Sequence, residues 1–375
     1  MAKSPSLPLN WLVSRFIAWR VALLGFAAIG MVILPFKPSF PYSETLLAPH
    51  GSPLFWSWAN FDGVHYLGIA AKSYFAQFTQ AFFPLYPLLI RIFTGLTHNS
   101  ILSGLIISNF SFLACMAVFY RLLRLDTSDV QAKRTILLLL LFPTSFFFGS
   151  LYTESFFLLS VLLSFYFARR RRFILAGICG ALASATRILG GLLIPALLIE
   201  YFSSPGRSRW GWVMALLPAA GLLLYMYYLN VSFHDPLYFI HAQPAFGAQR
   251  SGEKIILLYQ VFWRYLKMLV TVPIANLLYY TVSQEFISAV IFLCLSLLSF
   301  KFTRRSYAVF GILAYVLPSL TGTFSSLPRY VLILFPAFML LGKIKSKTIR
   351  HSLYAISCAL LALNTILFTR GYWVA

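Results

Sequence analysis

Glu154-Ser-Phe-Phe-Leu-Leu-Ser-Val-Leu-Leu-Ser-Phe-Tyr-Phe-Ala168, then Arg169-Arg170-Arg171-Arg172, then Phe173-Ile-Leu-Ala-Gly-Ile-Cys-Gly-Ala-Leu-Ala-Ser-Ala-Thr186 is the stretch that decides the fold. Two apolar runs are joined by four consecutive arginines. A bilayer core accepts such runs as helices, whose backbone groups are satisfied internally. Short loops rich in arginine and lysine mark the cytoplasmic side. Working outward, the same alternation of apolar run and basic cluster places spans near 13–35, 99–121, 135–151, 154–168, 173–186, 188–202, 211–231, 279–300, 306–322, 326–342 and 352–369. The expected fold is an all-α polytopic membrane protein of about eleven transmembrane helices, forming a single domain over residues 1–375.

Composition excludes the ordinary alternatives. The 375 residues are 60% hydrophobic and 10% charged, against about 25% charged in soluble domains. The net charge of +21 does not point to nucleic acid, because the basic residues sit in short clusters between apolar runs rather than along one stripe. With the N-terminus cytoplasmic, one side collects most of them: Lys3, Arg15 and Arg20, Arg121 to Arg134, Arg169 to Arg172, Arg207 and Arg209, Lys301 to Arg305, and Lys343 to Arg350. An odd number of spans leaves the C-terminus external. The first apolar run is read as a retained span, since no small-residue cleavage site is evident after Met31, and Pro35 and Lys37 follow. Cys115, Cys179, Cys294 and Cys358 all fall inside spans, without metal or redox spacing. No metal site and no cofactor is expected.

Two external regions, 36–98 and 232–278, are too long to be turns, and long ordered loops are mostly functional. They hold all but one of the six histidines, and the acids Glu44, Asp62, Asp235 and Glu253. In the first, Phe61, Val64, Gly68, Ala71 and Phe75 recur at helical steps, predicting a helix with that stripe on the membrane surface. Asp62, His65, Tyr66 and Ile69 share another face. Asp62 falls in the first turn, where the helix dipole favours the ionised form. It is therefore either a general base or a cap on a surface helix. Glu154, Arg187 and Arg329 fall at external ends of spans. Charges there line a cavity, bind a ligand, or pair structurally. Arginine suits phosphate because its fork makes two charge-assisted bonds, which makes Arg187 and Arg329 candidates for a phosphate clamp.

Phe61-Asp62-Gly-Val-His65-Tyr66-Leu-Gly, Phe82-Phe-Pro84-Leu-Tyr-Pro87, Phe142-Pro-Thr-Ser145, Tyr152-Thr-Glu154-Ser, Ala185-Thr-Arg187, Asp235-Pro-Leu and Leu327-Pro-Arg329-Tyr330 together resemble the PIG-V family, the GPI mannosyltransferase 2 family with its prokaryotic relatives. The resemblance runs from about residue 55 to 336 and, as an ordered set, is more specific than any single motif. It implies a GT-C-class membrane glycosyltransferase that moves a sugar, most often mannose, from a polyprenyl- or dolichyl-phosphate donor to a glycan or glycolipid acceptor on the external or lumenal face. Asp62 matches the catalytic aspartate of that class. His65, Tyr66, Glu154, Tyr330 and Asp235 are expected to bind substrate or to support the site. Membrane lipids are the other partners; no nucleic acid is expected. The membrane is the plasma (inner) membrane of a prokaryote or the endoplasmic reticulum of a eukaryote. Three positions depart from the family's usual pattern: Phe61 where Trp is common, His234 where Gly often precedes Asp-Pro, and Ile188-Leu-Gly190 where a Ser-Asn-Gly-like run is common. They bear on the acceptor rather than on the reaction class. The rival reading is a lipid-linked-sugar transporter or flippase, in which intramembrane charges line a pathway without bond breaking.

Overall fold

A computed structural model describes residues 6–205 and 209–374; Lys3 and Arg207, expected on the cytoplasmic side, lie outside the described residues. Among the described residues the chain is helical and has no strand. The longer helices, in chain order, are α1 (Leu9–Ile33), α2 (Asp62–Lys72), α3 (Leu85–Thr97), α4 (Ser100–Leu123), α5 (Asp129–Leu141), α6 (Glu154–Arg169), α7 (Phe173–Thr186), α8 (Leu193–Phe202), α9 (Pro218–Phe233), α10 (Leu258–Thr271), α11 (Leu277–Phe302), α12 (Arg305–Ser319), α13 (Phe335–Leu341) and α14 (Lys347–Thr369). Four of them, α1, α4, α11 and α14, are long and apolar enough to cross a membrane, while α3, α7 and the segment Ile188–Phe202 are apolar but shorter.

Several segments expected as whole spans are interrupted, and the interruptions have local causes. Helix α5 stops at Leu141 because Phe142 precedes Pro143 and is driven to an extended ψ of 140°; a tight 3-10 turn at Ser145–Gly149 follows before α6 begins. Helix α7, by contrast, ends at Thr186 as expected, and Arg187 is extended, with φ −155° and ψ 145°. The chain then folds back through a 3-10 turn at Ile188–Leu192. Gly190 permits this return, since a Cβ there would lie 2.2 Å from the backbone nitrogen of Ser184. The expected span at 326–342 is a short helix, Leu327–Tyr330, a 3-10 turn, and α13. Irregular backbone at membrane depth is tolerated where protein buries it or where it lines a cavity. These breaks bury each other: Thr144 Oγ1 donates to the Pro328 carbonyl at 2.6 Å, and Leu151 N–H donates to the Trp58 carbonyl at 2.9 Å.

Helix α1 buries only the stripe Leu12, Trp19, Leu23, Ala27 and Gly30 and packs on α14 through Gly30 against Ile366. From Val21 onward its outward face is apolar and exposed, as a lipid-facing helix requires. Helix α7 approaches the 211–233 segment closely, at Gly177, where a Cβ would sit 2.3 Å from the Met214 carbonyl; this is the small-residue packing common between membrane helices. Cys115 and Cys179 are buried, but Cys294 is exposed and Cys358 half-buried.

The stripe expected on the membrane face of α2 is divided. Phe61 and Val64 are buried, with Phe61 packed against Phe40, Phe368 and Trp373, whereas Ala71 and Phe75 are exposed. The first half of α2 is thus held inside the protein, because aromatic side chains from α14 and the C-terminal segment cover it. Within residues 232–278 an exposed apolar stripe lies on α10, at Tyr259, Trp263, Leu266 and Val270, the spacing of an interfacial helix.

Helix α6 separates two polar poles. Sixteen residues span about 22 Å, from Glu154 at one end to Arg169 at the other. Around Arg169, buried Glu200 accepts hydrogen bonds from Arg304 Nη2 (2.9 Å) and Ser306 Oγ (2.7 Å) and pairs with Arg169 Nε at 3.4 Å. Arg169 also bridges Asp126 at 2.6 Å. This network ties α6, α8 and α12 together; removal of its central anion takes the carboxylate from Arg304, while Arg169 keeps Asp126. Glu200→Ala is expected to destabilise the protein by about 1–3 kcal/mol through its lost hydrogen bonds, with little change in turnover per folded molecule; thermal unfolding in detergent beside an activity assay checks both.

Candidate active site

Glu154, Arg187 and Arg329 stand at the three backbone breaks, and Asp62 stands at the start of α2. Folding brings these four together beside a cavity of about 810 Å³ that Asp62, Arg187 and Arg329 line. Arg329 Nη1 donates to Asp62 Oδ2 at 2.5 Å, and Arg329 Nε lies 3.5 Å from Glu154 Oε1. Arg187 Nη1 donates to the same Glu154 oxygen at 2.9 Å. The result is an alternating chain of charges, Asp62–Arg329–Glu154–Arg187. Glu154 is 1% exposed and Arg329 5%, so the charges are sustained by one another in a region of low polarity.

Asp62 is presented by a strained turn. Phe61 has φ 59°, a left-handed conformation that costs a bulky residue about 1–3 kcal/mol. The surrounding contacts hold it: Asp62 N–H donates to Tyr152 Oη at 3.2 Å, Tyr152 Oη donates to the Asn60 carbonyl at 2.9 Å, and Asn60 Nδ2 donates to the Phe368 carbonyl at 2.8 Å. One face of the carboxylate is therefore fixed by Arg329 while its rim opens to the cavity; its side chain is 19% exposed. Burial pushes the carboxyl upward, but the charge and hydrogen bond of Arg329 outweigh it and hold the pKa below its ordinary value. His65, one turn away, is stacked on Phe82 at 4.9 Å and meets Phe246 edge-on at 5.6 Å. Burial lowers the His65 pKa against the opposing pull of Asp62, so the ring is neutral at pH 7. Tyr66 is buried, its hydroxyl 3.5 Å from Thr153 Oγ1.

Of the residues singled out from sequence, Asp62, His65, Tyr66, Arg187, Arg329 and Tyr330 line the cavity. Tyr330 also covers both arginines, with its ring 5.1 Å from the Arg187 guanidinium carbon and 5.3 Å from that of Arg329. Glu154 lies behind the arginines rather than in the cavity wall. Asp235 is elsewhere: it accepts from Leu237 N–H at 2.9 Å and pairs with His241 Nδ1 at 2.7 Å, closing a local turn. An Asp-Pro pair favours such a turn.

Four titratable cavity residues escaped the sequence reading: Arg250, Arg264, Tyr265 and Glu285. Glu285 had a visible signal, an acid in the middle of an apolar run, which is a site candidate by default. It is buried, and accepts a 2.5 Å hydrogen bond from Tyr265 Oη. The two arginines carried no such signal, being basic residues in a polar loop and on an amphipathic helix.

Residues 35–195 match a family described as mannosyltransferase (PIG-V). The matched region contains Asp62, Glu154 and Arg187; Arg250 and Arg329 lie beyond it. Among curated proteins no match was found.

Proposed function

We propose, on the premise of the match between residues 35–195 and the PIG-V mannosyltransferase family, that this protein is a glycosyltransferase that moves mannose from a polyprenyl- or dolichyl-phosphate donor to a hydroxyl of a glycan or glycolipid, with inversion at the sugar carbon. The observation that carries this reading is the meeting in one cavity of an ionised carboxylate, Asp62, with two arginines from separate backbone breaks, Arg187 and Arg329. In the reaction, Asp62 takes the proton of the acceptor hydroxyl as its oxygen attacks the anomeric carbon. The bond from that carbon to the phosphate oxygen breaks, and its electron pair leaves with the phosphate. A phosphate is already a stable anion at neutral pH, so no second carboxylate is required to protonate it, unlike glycoside hydrolysis. Arg329 and Arg187 bind the charge that grows on the departing oxygen.

The same geometry orders the steps. A carboxylate held tightly by arginine is a weak base. Donor phosphate competes with Asp62 for Arg329, and as the bridge loosens the carboxylate's proton affinity rises. Asp62 thus becomes an effective base once the donor is seated. Glu154, held behind both arginines, keeps their forks aimed at the phosphate.

Purified protein in lipid is expected to transfer mannose from a defined polyprenyl-phosphate-mannose, with the product identified by mass spectrometry of membranes containing or lacking the chain. Movement of the intact lipid across the bilayer without bond breaking would replace the enzyme reading by the transporter one. The cavity faces outward in this proposal, with Arg169 to Arg172 cytoplasmic. An engineered cysteine at Arg170 is therefore expected to resist a membrane-impermeant reagent in intact cells and to react after permeabilisation, in a background whose native cysteines are replaced. Labelling from outside would put the cavity on the cytoplasmic face.

A further inference from the structure

The four charges at the proposed reaction centre cancel. Arg187 and Arg329 are matched by Asp62 and Glu154, each within ion-pair distance. A lipid phosphodiester entering this cavity adds one negative charge, which the cluster by itself does not balance. The opposite wall supplies a cation of different standing. Arg250 is half-buried and lines the cavity. Its one hydrogen bond is a long one, from Nη2 to Ser326 Oγ at 3.4 Å, and among the described residues no carboxylate forms an ion pair with it. Its neighbour Arg264 also lines the cavity, but both of its terminal nitrogens are committed, to the Gly322 carbonyl at 3.0 Å and the Ala248 carbonyl at 3.1 Å.

The backbone leading to Arg250 is unusual. Gly247, Ala248 and Gln249 have φ of 72°, 54° and 50° in succession. Left-handed conformations at residues other than glycine persist only where the surroundings over-determine them, and they cluster at ligand sites. Here Arg264 holds the Ala248 carbonyl, and Ser251 N–H donates to the Thr321 carbonyl at 2.8 Å. The two anchors pin the strained turn on either side of Arg250 and set its side chain into the cavity. The charge of Arg250 reaches the reaction centre, where it helps to hold the Asp62 carboxyl low.

We propose that Arg250 is a phosphate-binding residue that receives the donor's phosphodiester anion, a cavity guanidinium that no carboxylate pairs with among the described residues and that, unlike Arg264, no carbonyl holds. This rests on the donor reading above and deepens it. The strained turn carries a pre-aimed guanidinium, so less freedom is lost when the phosphate binds. Arg187 and Arg329 then act mainly on the charge that develops at the leaving oxygen, while Arg250 sets affinity for the intact donor.

The test measures steady-state kinetics with polyprenyl-phosphate-mannose, and separately the binding of sugar-free polyprenyl phosphate and of neutral polyprenyl alcohol, for wild type, Arg250→Ala and Arg250→Lys at matched folded fraction. A charge-assisted hydrogen bond is lost, so donor KM and the Kd for polyprenyl phosphate are expected to rise about 10–100-fold in Arg250→Ala. Polyprenyl alcohol binding and acceptor KM are expected to stay unchanged, and Arg250→Lys is expected to fall between. Unchanged donor KM and polyprenyl phosphate binding in Arg250→Ala would overturn the assignment, as would a rise confined to acceptor KM. If wild type transfers no sugar yet binds polyprenyl phosphate through Arg250, the phosphate site stands and the transferase reading falls.

Discussion

Asp62→Asn is expected to lower turnover by about 10²–10⁴-fold while leaving the fold in place, the usual range for loss of a general base. The amide is nearly isosteric, so Phe61 keeps its packing and the Asp62 N–H keeps its bond to Tyr152. What changes is charge. Asparagine can still accept from Arg329, but it cannot take a proton from the acceptor hydroxyl. Melting temperature and donor binding separate a chemical loss from a folding loss. Near-normal turnover in a well-folded variant would exclude Asp62 as the base. The pH profile adds a second readout. Arg329 holds the carboxyl below its ordinary value, so the acid limb of kcat/KM, which reports the free enzyme, is expected below the usual aspartate range. The stability contributed by the bridge has the same sign. It is present above the unfolded-state pKa and is lost as pH falls through the lower folded-state value.

Arg329→Ala is expected to be the second large effect. Removing one positioned donor at a developing anion costs about 2.7–4 kcal/mol in the barrier. Arg329 also bridges Asp62 and Glu154, so its loss leaves two carboxylates facing each other across a buried site, and stability falls as well. Arg329→Ala combined with Glu154→Gln removes one of those charges and isolates the catalytic share. With Arg329 gone, burial of Asp62 is opposed only by weaker pulls, that of Arg250 among them, so the acid limb of kcat/KM is expected to move upward. Arg187→Ala is expected to be milder, because Glu154 keeps Arg329. Wild-type donor affinity and turnover in both single variants would end the proposal that these arginines serve the phosphate, even with Asp62 essential.

The sequence by itself determined that this chain is helical and built for lipid. Sixty per cent apolar residues in runs punctuated by arginine clusters leave no water-soluble arrangement that could hide them. It also marked Asp62, Arg187 and Arg329, because charge is expensive in such a chain and each sits at the end of an apolar run. That signal is local, and so survives without knowledge of the fold.

Only the tertiary structure decided what those charges do to each other. Arg329 and Asp62 are 267 residues apart, and nothing in spacing or periodicity says that the turn after Pro328 meets the turn after Phe61. The breaks inside the expected spans 135–151 and 326–342, at Phe142 and in the 3-10 turn after Tyr330, were likewise hidden within hydropathy, which registers apolar content but not the local geometry that interrupts a helix; the break at Arg187 coincides with an expected span boundary. Asp235 shows the converse. It carries the same type of charge as Asp62 in the other long loop, yet folding gives it His241 and a surface turn. Arg250 was the least legible of all. Its distinction is the absence of a carboxylate partner, and pairing is a property of three-dimensional neighbours rather than of the residue.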